Sequence, residues 1–351
     1  MSKKFLLIDI YNIFFRIVYA ISERNLELKK ALVLNSLFVM MNYLGKNLEP
    51  NHLVICCEGH NNWRKQLDGK YKANRKEKMN NRTIKEVKHD EEMLKTLEEF
   101  LYFMQDFTNV SVLRCEEAEA DDLIARFCQL HNSDKIIICS VDNDFIQLIN
   151  DNVSLFNGTQ HCLITTEGVF DLNDKKGRRK AVAIDNKGKL TIKKEYIDGV
   201  GTGLQDNWQE YALFCKCVRG DSSDNIFPAY PRVSTKSTMK KGVKKVGLNE
   251  AFEHRNDHSY EWINFMNQSW KDIEGKEHKV EDEFKHNQLL IDFNYIPEEY
   301  KQKFDTYIKE NCGNKNKKMI GIQLQRFFTK HEMIRQLDNV SNFVSWFSGE
   351  Y

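Results

Sequence analysis

The chain has 351 residues, of which 41% are hydrophobic and 29% charged, and 52 Lys and Arg against 51 Asp and Glu leave a net charge of +1. That length predicts one larger domain with a smaller one, and the charge balance neither requires nor excludes nucleic acid, so the distribution of charge must decide. Nine cysteines with no C-x-x-C pair argue against structural zinc and predict free thiols in a reducing cytoplasm, and no apolar run predicts a secretory signal or a membrane span.

In chain order, Phe5–Ile8 reads as a buried strand ending on Asp9, Leu26–Leu44 as a helix, and Leu53–Cys57 as a strand ending on Glu58. From Trp63 to Lys88 the chain turns basic, and Glu92–Met104 then predicts an amphipathic helix. Strands are predicted at Val110–Leu113, Ile136–Cys139 and Val153–Phe156. The first two precede Glu119-Ala120-Asp121-Asp122 and Asp142-Asn143-Asp144. This alternation predicts an α/β fold with a mostly parallel central sheet and helices on both faces. Residues 159–205 break the pattern, with Leu163–Val169 and Ala181–Ile192 as strands of an inserted hairpin or small sheet. Asn207–Val218 predicts a helix leading to Gly220-Asp221-Ser222-Ser223-Asp224-Asn225, and the remainder is mainly helical, ending in Ile320–Phe347. The expected division is a core over 1–158 with a basic region at 60–100, an insertion at 159–205, and a helical C-terminal domain at 206–351.

Asp9, Glu58, Glu119, Asp121, Asp122, Asp142, Asp144, Asp221 and Asp224 mostly stand just after a strand or helix. One acidic pair alone would be a helix cap or a solvated turn. Several sets at strand ends instead converge on the carboxyl edge where open α/β sheets form their sites. Hard oxygen donors of this kind suit Mg²⁺ or Mn²⁺, and two such ions about 4 Å apart can activate water and stabilise both oxygens of a phosphodiester displacement. The chain lacks G-x-x-x-x-G-K-[ST], G-x-S-x-G and H-E-x-x-H, which leaves ATPase, serine-hydrolase and zincin chemistry unsupported. Arg64, Lys65, Lys72, Arg75 and Lys76 are candidate phosphate contacts, with Tyr71 placed to stack on a base. A second run, Lys236, Lys240, Lys241, Lys244 and Lys245, has Gly242 and Gly247 in or beside it, as in a turn approaching a phosphate. A third, Lys175 to Lys180, reads as an exposed loop.

Five segments resemble the structure-specific 5′-nucleases, the family of flap endonucleases and the 5′-nuclease domain of bacterial DNA polymerases. They are Leu6-Leu7-Ile8-Asp9-Ile10-Tyr11-Asn12, Tyr71-Lys72-Ala73-Asn74-Arg75, Glu119-Ala120-Asp121-Asp122, Ser140-Val141-Asp142-Asn143-Asp144 and Gly220 to Asn225, in the family's order. Trp63-Arg64-Lys65 and Leu290-Ile291-Asp292-Phe293-Asn294-Tyr295-Ile296-Pro297 are similar to its T-even phage ribonuclease H branch. The resemblance implies a PIN-like core, a helix-three-turn-helix that grips duplex DNA, two Mg²⁺ ions, and 5′-to-3′ removal of RNA primers and adjoining DNA in lagging-strand replication. It implies that the carboxylates at 9, 119, 121, 122, 142, 144, 221 and 224 are metal ligands, and that Lys72, Arg75 and Arg16 meet the scissile phosphate. It also implies a phage single-strand-binding protein or sliding clamp as partner, and a monomer acting in a bacterial host's cytoplasm. Glu58 departs from the family's aspartate, Ala229 to Lys236 replaces its glycine-rich turn, and 159–205 has no counterpart. Two other readings of the fold are a junction-binding protein without turnover, which the intact carboxylates disfavour, and an endoribonuclease, which the basic run after Asp224 disfavours. Leu324, Phe327 and Phe328 have clamp-peptide spacing, but Gly321 stands where glutamine is expected, so a core stripe is the expected role.

Overall fold

The computed structural model describes residues 2–197, 204, 206–240, 243–257 and 259–351. β1 (Lys4–Asp9) runs into α1 (Ile10–Ala20). Then come α2 (Leu26–Leu48), β2 (His52–Cys56), α3 (Trp63–Leu67), α4 (Ala73–Asn80), α5 (Ile84–Phe107), β3 (Ser111–Leu113), α6 (Ala120–Leu130), β4 (Lys135–Cys139) and β5 (Val153–Asn157). These five strands pair in parallel in the order β3-β2-β1-β4-β5. The strand order reverses between β1 and β4, the place where a sheet of this class opens a crevice beyond its carboxyl ends.

Alternating residues of β1 explain its unbroken apolar run, because both faces of the sheet are covered. Phe5 and Leu7 join a core with Leu123 and Phe127 of α6. Leu6 and Ile8 join the opposite core with Phe14, Phe38 and Phe100 of α1, α2 and α5. Helices therefore lie on both faces, as expected.

The sheet is mixed rather than mostly parallel. Residues 159–197 form no separate unit. They add β6 (Cys162–Thr165), β7 (Gly168–Asp171), β8 (Arg179–Ile184) and β9 (Leu190–Ile197) as antiparallel strands, making nine in all. Each of the two strands expected here folds as two, because the polar turns at Thr165–Gly168 and Asp185–Lys189 interrupt the expected strands. Antiparallel neighbours need only such tight connections.

The C-terminal region is mainly helical. α7 (Trp208–Arg219) is followed by the hairpin β10 (Thr238–Lys240) and β11 (Val243–Lys245), α8 (Leu248–Glu253), α9 (Tyr260–Met266), the hairpin β12 (Ser269–Lys271) and β13 (Glu277–Lys279), and α10 (Val280–Ile291). Phe214, Val218, Phe252, Phe265 and Phe284 give these elements a core of their own. α11 (Glu298–Asn311), α12 (Ile320–Lys330), α13 (Ile334–Leu337) and α14 (Val340–Phe347) complete the chain. α11 packs with the α6 side of the sheet, while α12 and α14 pack with the other.

The expected run Ile320–Phe347 is thus broken into three helices. Glu332 takes a left-handed φ of 53° and the Met333 N–H turns back to the Phe328 carbonyl at 2.8 Å. Leu324, Phe327 and Phe328 are buried against α2 and α5, a core stripe as expected. All nine cysteines are buried free thiols. Among the described residues no helix is long and apolar enough to cross a membrane.

Candidate functional site

Asp9 ends β1 and caps α1, accepting the Asn12 N–H at 3.4 Å and the Ser140 hydroxyl at 2.8 Å. Its burial lifts the carboxyl to about 6, against the Ser140 hydrogen bond and the pull of Lys72. Two residues beyond β2, Glu58 accepts the Ala120 N–H at 3.4 Å, and burial followed by repulsion from Glu119 raises it to about 7. The loop after it depends on Gly59, where a Cβ would lie 2.1 Å from the Cys115 carbonyl oxygen.

Glu119 and Asp122 form a capping box at the start of α6. Burial works against ionisation of Glu119, but the ion pair with Lys72 and the Arg64 guanidinium at 3.3 Å outweigh it and hold the carboxyl at about 2. Tyr71 donates its hydroxyl to the same carboxylate at 2.8 Å. Burial and then Glu119 push Asp121 well above the usual carboxylate range.

Asp142 caps a 3-10 turn over Asn143–Leu148 and accepts the Asp144 N–H at 3.0 Å. Burial and the Asp144 charge raise it to about 7. The residue keeps an open face to solvent, so screening trims that effect.

Asp221 and Asp224 lie in the tight loop after α7, closed by reciprocal hydrogen bonds of Asp221 and Ile226 at 3.0 and 2.7 Å. The loop requires glycine at 220: φ is 69°, and a Cβ would meet the Ile226 carbonyl at 2.4 Å. One oxygen from each of Asp144, Asp221 and Asp224 falls within 4.8 Å of the others.

Two lysines tie these groups together. Lys72 pairs with Glu119 and stands 3.8 Å from Asp224, while its backbone N–H donates to the Asp224 carbonyl at 2.8 Å. Its left-handed φ of 55° at the start of α4 makes both contacts compatible. Arg75, a turn further on, pairs with Asp224 at 2.6 Å. Lys216, absent from the sequence-derived set, pairs with Asp144 and with Asp221 at 2.8 Å. Its charge outweighs burial and holds Asp221 at about 2. A basic residue in a helix's last turn is ordinarily read as a partner of the helix dipole, which is why its position gave no signal.

Other predicted residues serve in other ways. Arg64 is 1% exposed, pairs with Asp122 at 2.8 Å, and donates to the Leu290 carbonyl at 2.9 Å. It therefore faces protein rather than phosphate. Asp122 is wholly buried, taking the Trp63 indole N–H at 3.0 Å and the Glu119 N–H at 2.9 Å, so it anchors α6 rather than presenting oxygens to the cleft. Tyr71 is 4% exposed in the third core, and its ring is not free to stack on a base. Arg16 donates to Thr159 at 2.7 Å. Lys65, Lys236 and Lys245 are exposed, and Lys244 pairs with Glu250. The side chains of Lys76 and Lys240, and Lys241 and Gly242 entirely, lie outside the described residues.

The donor set is hard oxygen throughout, and its negative charge is met by the ammonium groups of Lys72 and Lys216 and the guanidinium groups of Arg64 and Arg75. Such a set fits divalent cations. Asp142, Asp144, Asp221 and Lys216 line a cleft of about 600 Å³.

Fold and cleft together define an α/β protein with an acidic crevice at its sheet's switch point. A family model described as the 5′-3′ exonuclease N-terminal resolvase-like domain matches residues 4–188, just over half of the chain. The chain belongs to this 5′-3′ exonuclease family. A 5′-3′ exonuclease of Buchnera aphidicola subsp. Schizaphis graminum is 25% identical over 218 residues, 61% of this chain and 60% of the relative. Another from Buchnera aphidicola subsp. Acyrthosiphon pisum is 26% identical over 197 residues, 55% of this chain and 52% of the relative. The chain thus spans between half and 60% of the length of these relatives. Bacteriophage T5 5′-exonuclease, solved with divalent metal ions (zinc), shares the fold at a TM-score of 0.56 and 18% identity, covering 88% of this chain and all of that one. T5 flap endonuclease in a pseudo-enzyme-product complex with DNA and metal ions gives 0.55 and 17%, covering 88% and 99%.

Proposed function

We propose that the protein is a two-metal 5′-to-3′ nuclease that hydrolyses phosphodiester bonds at 5′ ends, flaps and RNA–DNA hybrids, with Mg²⁺ as its natural ion and Mn²⁺ as a substitute. The observation that carries this reading is Lys72, which joins the Glu119 side of the acidic edge to the Asp224 side. When bound, the ions supply an acidified water and Lewis-acid stabilisation of the phosphodiester oxygens.

The chain's own residues do the rest. Asp144, Asp221 and Asp224 would hold one ion, and Asp9, Glu58, Glu119, Asp121 and Asp142 would supply oxygen donors for the other. Lys72 and Arg75 grip the scissile phosphate and meet the charge that grows on it in the transition state. Glu58 and Asp142, both near 7, release their protons as cations fill the cleft. Lys65, Lys236 and Lys245 give sequence-independent contacts to the backbone.

The same reading divides the chain into a PIN-like core at 1–158, an insertion at 159–205, and a DNA-gripping helical region at 206–351 with a helix-three-turn-helix-like motif. It places the protein in the T-even ribonuclease H branch, as a monomer in a host cytoplasm. There it would remove RNA primers and adjacent DNA behind a replication fork, in contact with a phage single-strand-binding protein and clamp.

Cleavage of end-labelled 5′-flap, nicked and RNA-primed duplexes in Mg²⁺ tests it. Short 5′-end products are expected from wild type and none from Asp142→Ala. Tight binding without cleavage in any divalent metal would leave a junction-binding protein instead.

A further inference from the structure

The turn between β8 and β9 stands across the cleft from the acidic cluster. Asp185, Lys187, Gly188 and Lys189 share the cleft of about 600 Å³ with Asp142, Asp144 and Asp221, a volume usual for ligand sites. The turn is held rigidly. The Asp185 carboxylate accepts the N–H groups of Lys187 and Lys189 at 2.8 and 2.9 Å, and the Gly188 N–H donates to the Asp185 carbonyl at 3.1 Å. Gly188 is buried with φ of 81°, and a Cβ there would fall 2.0 Å from the Ala212 carbonyl, so the backbone of the tip rests directly on α7. Leu190 behind it is buried in one core with Trp208 and Ala212. Ala212 is one helical turn from Lys216, which fixes the tip relative to Asp144 and Asp221.

The charges at this cleft are unequally committed. Lys216 is spent on Asp144 and Asp221, and Arg219 donates to the Val233 carbonyl. Lys187 and Lys189 are exposed, and among the described residues neither ammonium pairs with a carboxylate. A phosphate lying against Asp144, Asp221 and Asp224 through cations still has an oxygen facing the opposite wall. Ammonium groups are compact donors that bind it whatever base it carries.

We propose that Lys187 and Lys189 form a phosphate clamp on the β8–β9 turn, which grips the nucleic-acid backbone of the strand held at the acidic cluster. The assignment rests on the nuclease reading above and adds to it a strand-positioning element contributed by the extension of the sheet. These are positioning residues: they hold the backbone and do not touch the reacting atoms.

The test is the salt dependence of kcat/KM for a 5′-flap duplex in Mg²⁺. Each lost phosphate contact flattens the plot of log(kcat/KM) against log[salt] by about 0.7–0.9. Lys187→Gln with Lys189→Gln should therefore flatten the slope by roughly 1.4–1.8, through KM rather than kcat. Arginine at both positions should restore it. Lys193→Gln with Lys194→Gln, exposed on β9, should leave it unmoved. Should the double glutamine variant lose its thermal midpoint, the single variants each read half the change. An unmoved slope in a folded Lys187/Lys189 variant, or an equal fall in the Lys193/Lys194 variant, overturns the clamp while leaving the nuclease standing. Absence of Mg²⁺-dependent cleavage by wild type overturns both.

Discussion

At the scale of single residues, the carboxylates differ in what their loss should do. Asp142→Ala removes an oxygen donor from an open part of the cleft. Cleavage should fall at least 100-fold, roughly the order set by losing one electrostatic stabiliser, while gel-shift affinity for a flap duplex is kept. Asp9 is buried, with its carboxyl raised from 3.8 to about 6. A raised acid binds its proton more tightly in the folded state, so its contribution is complete below pH 4 and is lost as pH rises through 6. Asp9→Asn keeps an acceptor for the Asn12 N–H, offers an amide N–H to the Ser140 oxygen in place of the second acceptor, and abolishes this loss. In the metal-free protein it should stabilise by up to about 3 kcal/mol at pH 8, an advantage that shrinks towards pH 4 in chemical denaturation. Arg64→Ala should behave in neither way. It leaves Asp122 buried and uncompensated, a loss of about 3–5 kcal/mol in urea unfolding, with the salt dependence of DNA binding unchanged. Nothing in Trp63-Arg64-Lys65 distinguishes the buried arginine from its exposed neighbour. That distinction comes from Asp122 and Leu290, 58 and 226 positions away.

At the scale of elements, β1, β2 and β4 were legible because a strand covered on both faces leaves an unbroken apolar run. The acidic sets at their ends were legible for the related reason that strand and site share one edge. β6 to β9 read as two strands rather than four, although the turn residues Thr166-Glu167-Gly168 and Asp185-Asn186-Lys187-Gly188 stand within the two runs. Lys216 stayed hidden because its two partners come from separate loops. Glycine 220 is where an element and the site meet. Gly220→Ala adds a Cβ 2.4 Å from the Ile226 carbonyl at a left-handed φ, a strain of about 1–3 kcal/mol. The loop can relieve it only by moving Asp221 and Asp224. Calorimetric titration should show weakened divalent-metal binding in this variant together with a lower thermal midpoint.

At the scale of the whole molecule, the cleft joins three packed bodies: two faces of one sheet and the helical region around Phe214 and Phe265. Cations drawing oxygens from more than one of them should stabilise the ensemble, by about 2.7 kcal/mol at 100 times the dissociation constant. Asp9 must give up a proton held to about 6, and Glu58 and Asp142 protons held to about 7. The Mg²⁺-induced rise in thermal midpoint should therefore be larger at pH 8 than at pH 6, as scanning calorimetry would show. The nine thiols carry a separate consequence. Every one is shut away from reagents, and burial pushes those at 56, 57, 139, 215 and 217 upward, so alkylation of the native protein must wait for a local opening. Pulsed alkylation read by peptide mass would turn the cysteines into a built-in clock. Cys215 and Cys217 time the breathing of the helical region, and Cys56, Cys57 and Cys139 time that of the sheet.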